Sequence, residues 1–148
     1  ARLVVKTAEA IRQGTVQTVS QQELAGGDAV LKAAPKIFRE DCQVAWNRPA
    51  AVVFNQIRGL SPYPGAFSIL VSPHGEETLL KLYKAAKASG PETTFPGSLL
   101  TDNRHFLHVA CPDGWLDILQ IQQAGKRRMD IREFLPGFPL TSEWRFLP

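Results

Sequence analysis

The sequence is poor in cysteine and methionine and has no long apolar run. Its 148 residues include 2 Cys and 1 Met. The two cysteines, Cys42 and Cys111, lie far apart and outside any CxxC pair, which argues against a disulfide or a nucleophilic thiol. We expect both to be buried packing groups in a reducing cytoplasm. No segment approaches the roughly 18 consecutive apolar residues of a membrane helix, so we expect no membrane association.

The usual signatures of catalysis are also missing. The sequence contains no HExxH, GxSxG, Walker or GxGxxG motif. The polar segment 101–108 gathers Asp102, Asn103, His105 and His108, but two histidines three apart on a strand would point to opposite faces. Asp102 and Asn103 are typical of a hairpin turn, since both tolerate left-handed backbone. We therefore predict no catalytic residues and no metal site here.

Composition indicates one ordinary domain with an appendage. Hydrophobic residues make up 44% and charged residues 21% of the chain, values typical of folded globular proteins. The formal net charge is +3. Such a mild excess favours a phosphate-bearing partner only if the cations cluster in space.

The N-terminal segment predicts one helix and a linker. Apolar residues recur at helical spacing over 1–13, and Gly14 is a natural stop. Residues 14–34 are rich in Gln, Ala, Gly and Thr, and Gly26 and Gly27 disfavour regular structure. We expect a linker that ends at Pro35.

A second helix is predicted to begin at Asn47, as its cap, and to be ended by Gly59 and Pro62. Val53, Ile57 and Leu60 would share its buried face. The stretch SPYPG at 61–65 then stiffens the connection, because prolines reduce the freedom of the unfolded chain. We expect the Tyr63 ring to pack there.

From Pro64 onward the apolar period changes to two, which predicts a strand through Phe67, Ile69 and Val71. Further candidate strands follow at 78–85, 97–101, 105–111 and 116–122. Short strands joined by turns favour a small antiparallel β-barrel, because closure removes exposed edges. Asp130 and Glu133 form a capping-box pattern for a short closing helix, which Pro136 ends.

The densest cationic point is the triplet Lys126, Arg127 and Arg128, just after the last of these strands. A solvated loop is the plain interpretation of three adjacent cations. The alternative is a phosphate-binding surface, to which Lys36, Arg39 and Arg58 would contribute from the flanks of the second helix. We interpret Lys81, Lys84 and Lys87 as edge-strand lysines that discourage aggregation.

Three segments in register resemble the C-terminal domain of methionyl-tRNA formyltransferases. They are APKIFREDCQVAW at 34–46, VFNQIRGLSPYPGAF at 53–67 and LQIQQAGKRRMDIREFLPG at 119–137. Two positions depart from the family pattern, namely Ala45 before Trp46, where Asp is common, and Gln123 after Gln122, where Pro is common. Neither departure touches the cationic triplet.

The resemblance implies a mainly β, OB-fold-like domain over 35–148 that binds tRNA. Residues 1–34 would be the last helix of an N-terminal catalytic domain, followed by its linker. That other domain would bind the co-substrate 10-formyltetrahydrofolate and carry an Asn-His-Asp set, so no cofactor is expected in this chain. The partner would be initiator methionyl-tRNA in a bacterial or organellar cytoplasm. The expected tRNA-binding residues are Lys36, Arg39, Arg58, Lys126, Arg127 and Arg128.

Two other functions stay open from the sequence. The same appendage follows formyl-transferring domains that act on other substrates, so a structural role beside a non-RNA substrate is the main alternative. An independent module for single strands ranks last, because it needs exposed aromatic residues and we expect Phe67, Tyr83 and Phe106 to lie in the core. The parent enzyme is expected to be monomeric, although the apolar stripe of the first helix could pair two copies of this chain.

Overall fold

A computed structural model describes residues 2–24, 33–92 and 95–147 of the chain. The helices are α1 (Arg2–Arg12), α2 (Gln21–Leu24), α3 (Ala50–Leu60) and α4 (Ile131–Phe134). The strands are β1 (Ala66–Val71), β2 (Glu77–Ala88), β3 (Leu99–Thr101), β4 (Leu107–Cys111), β5 (Gly114–Gln123), β6 (Met129–Asp130) and β7 (Arg145–Phe146). Single 3₁₀ turns occupy Glu40–Cys42 and Leu135–Gly137. The chain divides into two compact units, Ala1–Lys36 and Ile37–Pro148.

The first unit contains α1 and α2. The predicted helix is confirmed, and it ends before Gly14, whose φ of 67° favours glycine. None of the α1 residues is buried, and Leu3, Val4 and Val5 are each more than two-thirds exposed. The expected linker contains the single turn α2, and Gly26 and Gly27 lie outside the described residues.

The second unit is an antiparallel, nearly closed barrel, as the alternating pattern predicts. Its strand order is β3-β4-β5-β2-β1-β7, and β6 pairs with β5. The two ends of this order meet where Ser98 bridges to Arg145 and the amide of Phe146 donates to the carbonyl of Gly97 at 2.9 Å. The sequence pattern missed β6 and β7, because two residues are too few to show an alternation.

The core lies between the inner sheet face and α3. Val53, Ile57 and Leu60 are buried, as the helical spacing predicts. Trp46 is fully buried, stacks on Phe146 with ring centroids 5.3 Å apart, and donates its indole N–H to the hydroxyl of Ser68 at 2.9 Å. This bond satisfies the one polar atom of a large core side chain.

The start of α3 differs from the prediction. Pro49, not Asn47, occupies the cap position and makes no side-chain cap bond. Instead, the amide of Ala50 donates to the carboxylate of Asp113 at 2.6 Å. Asp113 lies in the β4–β5 turn, 63 residues away, and local sequence rules cannot find a cap supplied by another hairpin.

Three further expectations are corrected. The Tyr63 ring does not pack, since it is 88% exposed. Lys81 is not an edge-strand residue, because it pairs with Phe67 of β1 on one side and with Gln122 of β5 on the other, whereas Lys84 and Lys87 pair only with β5. Tyr83 is half-buried on the outer sheet face rather than in the core, and Phe106 is also only half-buried, whereas Phe67 is half-buried but packs against the core cluster.

Other sequence predictions are confirmed. Cys42 and Cys111 are both free and buried, and burial, followed by the charge of Asp113, raises the pKa of Cys111 to about 11. Asn103, with φ of 59°, turns the chain between β3 and β4. The α4 helix is capped by Asp130, which accepts the Arg132 amide.

No helix in the described part of the chain has both the length and the apolarity that crossing a bilayer requires. Across residues 2–24, 33–92 and 95–147, no three His, Cys, Asp or Glu side chains come together in a way that could hold a metal ion.

Candidate nucleic-acid interface

The cationic triplet lies in the tight turn between β5 and β6. The amide of Lys126 donates to the carbonyl of Gln123 at 3.0 Å, and Gly125 supplies the φ of 73° that this turn needs. The carbonyl of Lys126 is in turn held by the side-chain amide of Gln122 at 2.7 Å. All three cations are exposed to solvent, as the sequence predicts.

Arg128 is held against the outer face of the sheet. Its guanidinium carbon lies 4.4 Å from the centre of the Tyr83 ring, within the range of a cation–π contact. The guanidinium also donates to the side-chain oxygen of Gln120. The Tyr83 hydroxyl donates to Gln122 at 2.6 Å, which fixes the ring beneath the arginine. These contacts orient Arg128 without neutralising its charge.

Arg127 has a different environment. Its guanidinium forms an ion pair with the carboxylate of Glu133 on α4, and both side chains are at least half exposed. The pair therefore remains in water, where such contacts contribute little to stability. Its main effect is to reduce the positive charge that Arg127 can offer to a ligand.

Arg39 reaches the same sheet face from the segment before α3. Its guanidinium carbon lies 5.9 Å from the centre of the Phe67 ring on β1. Phe67 pairs with Lys81 across β1 and β2, so the two side chains leave the same face of the sheet. Tyr83 lies beside Lys81 on that face, because both side chains approach the same point over Gly65.

These residues form one continuous surface, which we call the cationic face: Arg39, Phe67, Lys81, Tyr83 and Arg128. Gly65 lies between Lys81 and Tyr83 on this face. A side-chain carbon at this position would lie 3.5 Å from the Tyr83 ring and 3.7 Å from the Lys81 side chain. The face carries three cations beside two aromatic rings. Phosphates and flat bases are the groups that such a surface suits.

The other predicted site residues lie elsewhere. Arg58 is exposed on α3, where it donates to Asn55 at 3.1 Å and lies 6.0 Å from the Phe54 ring centre. Lys36 is exposed in the first unit. Of the six expected residues, the structure joins Arg39 and Arg128 through the cationic face, with Lys126 and Arg127 in the adjoining turn.

Sequence reasoning missed Lys81 and Tyr83. The available signal was the order Leu80, Lys81, Leu82, Tyr83, in which the leucines point inward and the other two outward. Assigning the lysines to an edge strand hid this signal, since an edge lysine needs no ligand.

The histidine-rich segment forms no shared site. His105 Nδ1 lies 2.6 Å from the carboxylate of Asp102, whereas His108 Nε2 lies 3.8 Å from that of Asp117 on β5. Burial raises the pKa of Asp117, and the charge of His108 opposes this shift. The two pairs are separate contacts, and His105 precedes β4 rather than lying on it, contrary to the strand prediction.

Comparisons with known proteins identify the family of this chain. Residues 36–139 match the family described as "Formyl transferase, C-terminal domain". A methionyl-tRNA formyltransferase of Bacteroides fragilis is 44% identical over 97% of this chain, and those of Parabacteroides distasonis and Porphyromonas gingivalis are 41% and 36% identical over the same share. The chain spans 44% of the length of each of these relatives. With its barrel, its packing helix and this family match over most of its length, the chain belongs to the formyl transferase C-terminal domain family.

Proposed function

We propose that the chain binds initiator methionyl-tRNA and positions it for formyl transfer within a methionyl-tRNA formyltransferase. The cationic face is the observation that supports this proposal most directly. Arg39, Lys81 and Arg128 present three charges over one face of the sheet, and Lys and Arg contacts to phosphate supply affinity without reading sequence. The names of the relatives supply the class of RNA.

The role is one of orientation rather than chemistry. The formyl group would come from 10-formyltetrahydrofolate, bound by the catalytic part of the enzyme, and would pass to the methionyl amine. Holding the tRNA body while its reacting end enters another domain makes the encounter of the two reactants effectively unimolecular. We propose the cytoplasm as the place of action, because initiator tRNA is charged and used there.

The test compares two triple charge reversals in this chain. The first changes Lys126, Arg127 and Arg128 to Glu. The second changes Lys87, Arg104 and Arg145 to Glu, which are exposed cations outside both the cationic face and the turn between β5 and β6. Both variants alter net charge equally, so general electrostatic attraction falls by the same amount in each.

We expect the first variant to lose at least tenfold more affinity for initiator tRNA than the second, measured by equilibrium binding at low salt. Circular dichroism checks that both variants fold. Equal losses in the two variants would contradict the proposal, because position on the molecule would then not matter.

The Arg127–Glu133 pair favours a second candidate function. A cation neutralised by its own neighbour suits a structural domain beside a non-RNA substrate. The same triplet reversal, placed in an enzyme containing this chain, separates the two functions. A large fall in kcat/KM for methionyl-tRNA supports tRNA positioning, and unchanged activity supports the structural role.

A further inference from the structure

A groove opens beside the cationic face, between the segment that begins at Ile37 and the outer side of β1 and β2. Its volume is about 420 Å³, within the roughly 300–1,000 Å³ usual for small-ligand sites. The floor is apolar and includes Phe67 and Leu79, and the exposed side chains of Ile37 and Phe38 form one wall. Groups of this kind cover the flat face of an aromatic ligand.

Two cations frame this apolar floor. Arg39 and Lys81 both line the groove, and no carboxylate of the described residues does. The carboxylate of Asp41, near Arg39 in sequence, is directed instead to the amide of Phe38, which donates to it at 2.8 Å. The groove therefore combines an apolar, aromatic surface with positive charge on two sides.

We propose that this groove holds one unpaired nucleotide of the bound RNA, with its base against Phe67 and its phosphate between Arg39 and Lys81. This inference rests on the proposed function and makes it more specific. A paired base hides both faces in the helix stack, whereas an unpaired base can insert its face between aromatic and guanidinium groups. The charge on the groove complements the phosphate that accompanies such a base.

The position of the groove agrees with this assignment. The groove includes Gly65, the residue that connects Lys81 with Tyr83 and hence with Arg128. An RNA backbone that follows the cationic face from Arg128 would pass Lys81 before it reaches the groove. The face would then hold helical backbone by charge, and the groove would accept the first nucleotide outside the helix.

The experiment uses two hairpin RNAs that differ only in a short single-stranded 3′ overhang. The measured quantity is the ratio of their affinities for the chain, because this ratio cancels the contribution of the helical part. We expect the wild-type chain to bind the overhang RNA about tenfold more tightly, since stacking one base on an aromatic side chain adds affinity of this order. Lys81→Met, which removes the charge but keeps the length of the side chain, and Phe67→Leu, which removes the ring but keeps an apolar side chain, should each bring the ratio close to one. Lys87→Met, a lysine near the end of the same strand, should leave it at the wild-type value.

Each outcome has a distinct meaning. Equal binding of both RNAs by the wild-type chain overturns the groove assignment but leaves the tRNA proposal standing. Absence of binding to either RNA overturns both. Self-association of the chain in sedimentation experiments, abolished by Lys81→Met and Phe67→Leu, would assign the groove to a second protein copy and would also overturn the nucleotide assignment.

Discussion

At the scale of single residues, Gly97 is a position where the barrel leaves no room for a side chain. A side-chain carbon there would lie 2.3 Å from the carbonyl oxygen of Phe146, in the strand that closes the barrel. Its φ of 86° also disfavours other residues. We predict that Gly97→Ala lowers the free energy of unfolding by about 2–5 kcal/mol, the sum of backbone strain and overpacking. Urea unfolding measures this loss.

Gly75 offers a matched control, because its φ of 83° is nearly the same but open space surrounds it. Gly75→Ala should cost only the backbone strain, about 1 kcal/mol. If the two substitutions had equal effects, the close approach of Gly97 to Phe146 would not contribute to stability.

Asp102 gives a prediction about pH. The amide of His105, followed by that of Arg104, holds the pKa of this carboxyl well below its ordinary range. A lowered pKa means that ionised Asp102 stabilises the folded state. This contribution is complete above the ordinary pKa of about 3.9 and is lost as pH falls toward the folded-state value. In Asp102→Asn the side chain keeps an oxygen that can accept hydrogen bonds, but it carries no ionisable group in this pH range.

We therefore expect the wild-type chain to be more stable than Asp102→Asn at pH 5, with the advantage shrinking steadily as pH falls to about 2. Thermal unfolding of both proteins across this range measures the difference. A difference that stays constant with pH would show that the charge of Asp102 contributes nothing to the turn.

At the scale of elements, α3 depends on a distant hairpin for its first hydrogen bond. Removing the Asp113 carboxylate leaves the Ala50 amide without this acceptor and removes a negative charge near the helix start. We predict that Asp113→Ala lowers the free energy of unfolding by about 1 kcal/mol, as for other helix caps. Asn47→Ala, at the position that the sequence pattern favoured, should change it by less than about 0.5 kcal/mol. Urea unfolding measures both losses. A larger loss for Asn47→Ala than for Asp113→Ala would show that Asn47, and not Asp113, caps α3.

The same element shows what a sequence can and cannot predict. The buried face of α3 follows from the spacing of Val53, Ile57 and Leu60, because the period of a helix is a local property. Its cap does not follow, because Asp113 meets Ala50 only after the barrel has formed. Likewise, the alternation of apolar residues predicted β1 from the sequence. In contrast, β7 becomes a strand only through its pairing with β1 and Ser98, which lie far away in sequence.

The candidate site also has a part that the sequence predicts and a part that it does not. The cationic turn was predictable, since Lys126, Arg127 and Arg128 are adjacent in sequence and follow a strand. The partners of these side chains were not. Only the fold brings Tyr83 beneath Arg128 and Glu133 beside Arg127, and these neighbours decide how much charge each arginine offers.

At the scale of the whole molecule, the distribution of free charge should control RNA binding. Arg127 is paired with Glu133, so removing that carboxylate should release a cation beside the cationic face. We predict that Glu133→Gln increases affinity for initiator tRNA about two- to fivefold at low salt, in line with the small free energy of an exposed ion pair.

The salt dependence of tRNA affinity tests whether Arg127 gains a phosphate contact in Glu133→Gln. A newly available phosphate contact should make the slope of log affinity against log salt steeper by about one. Glu143→Gln removes the same charge from an exposed position in the loop before β7 and should leave the slope unchanged. Arg127→Gln added to Glu133→Gln should return the slope to its original value, because the released cation is then absent. A steeper slope that persists in this double variant would mean that Glu133 acts through net charge alone, and Arg127 would then have no part in holding the RNA.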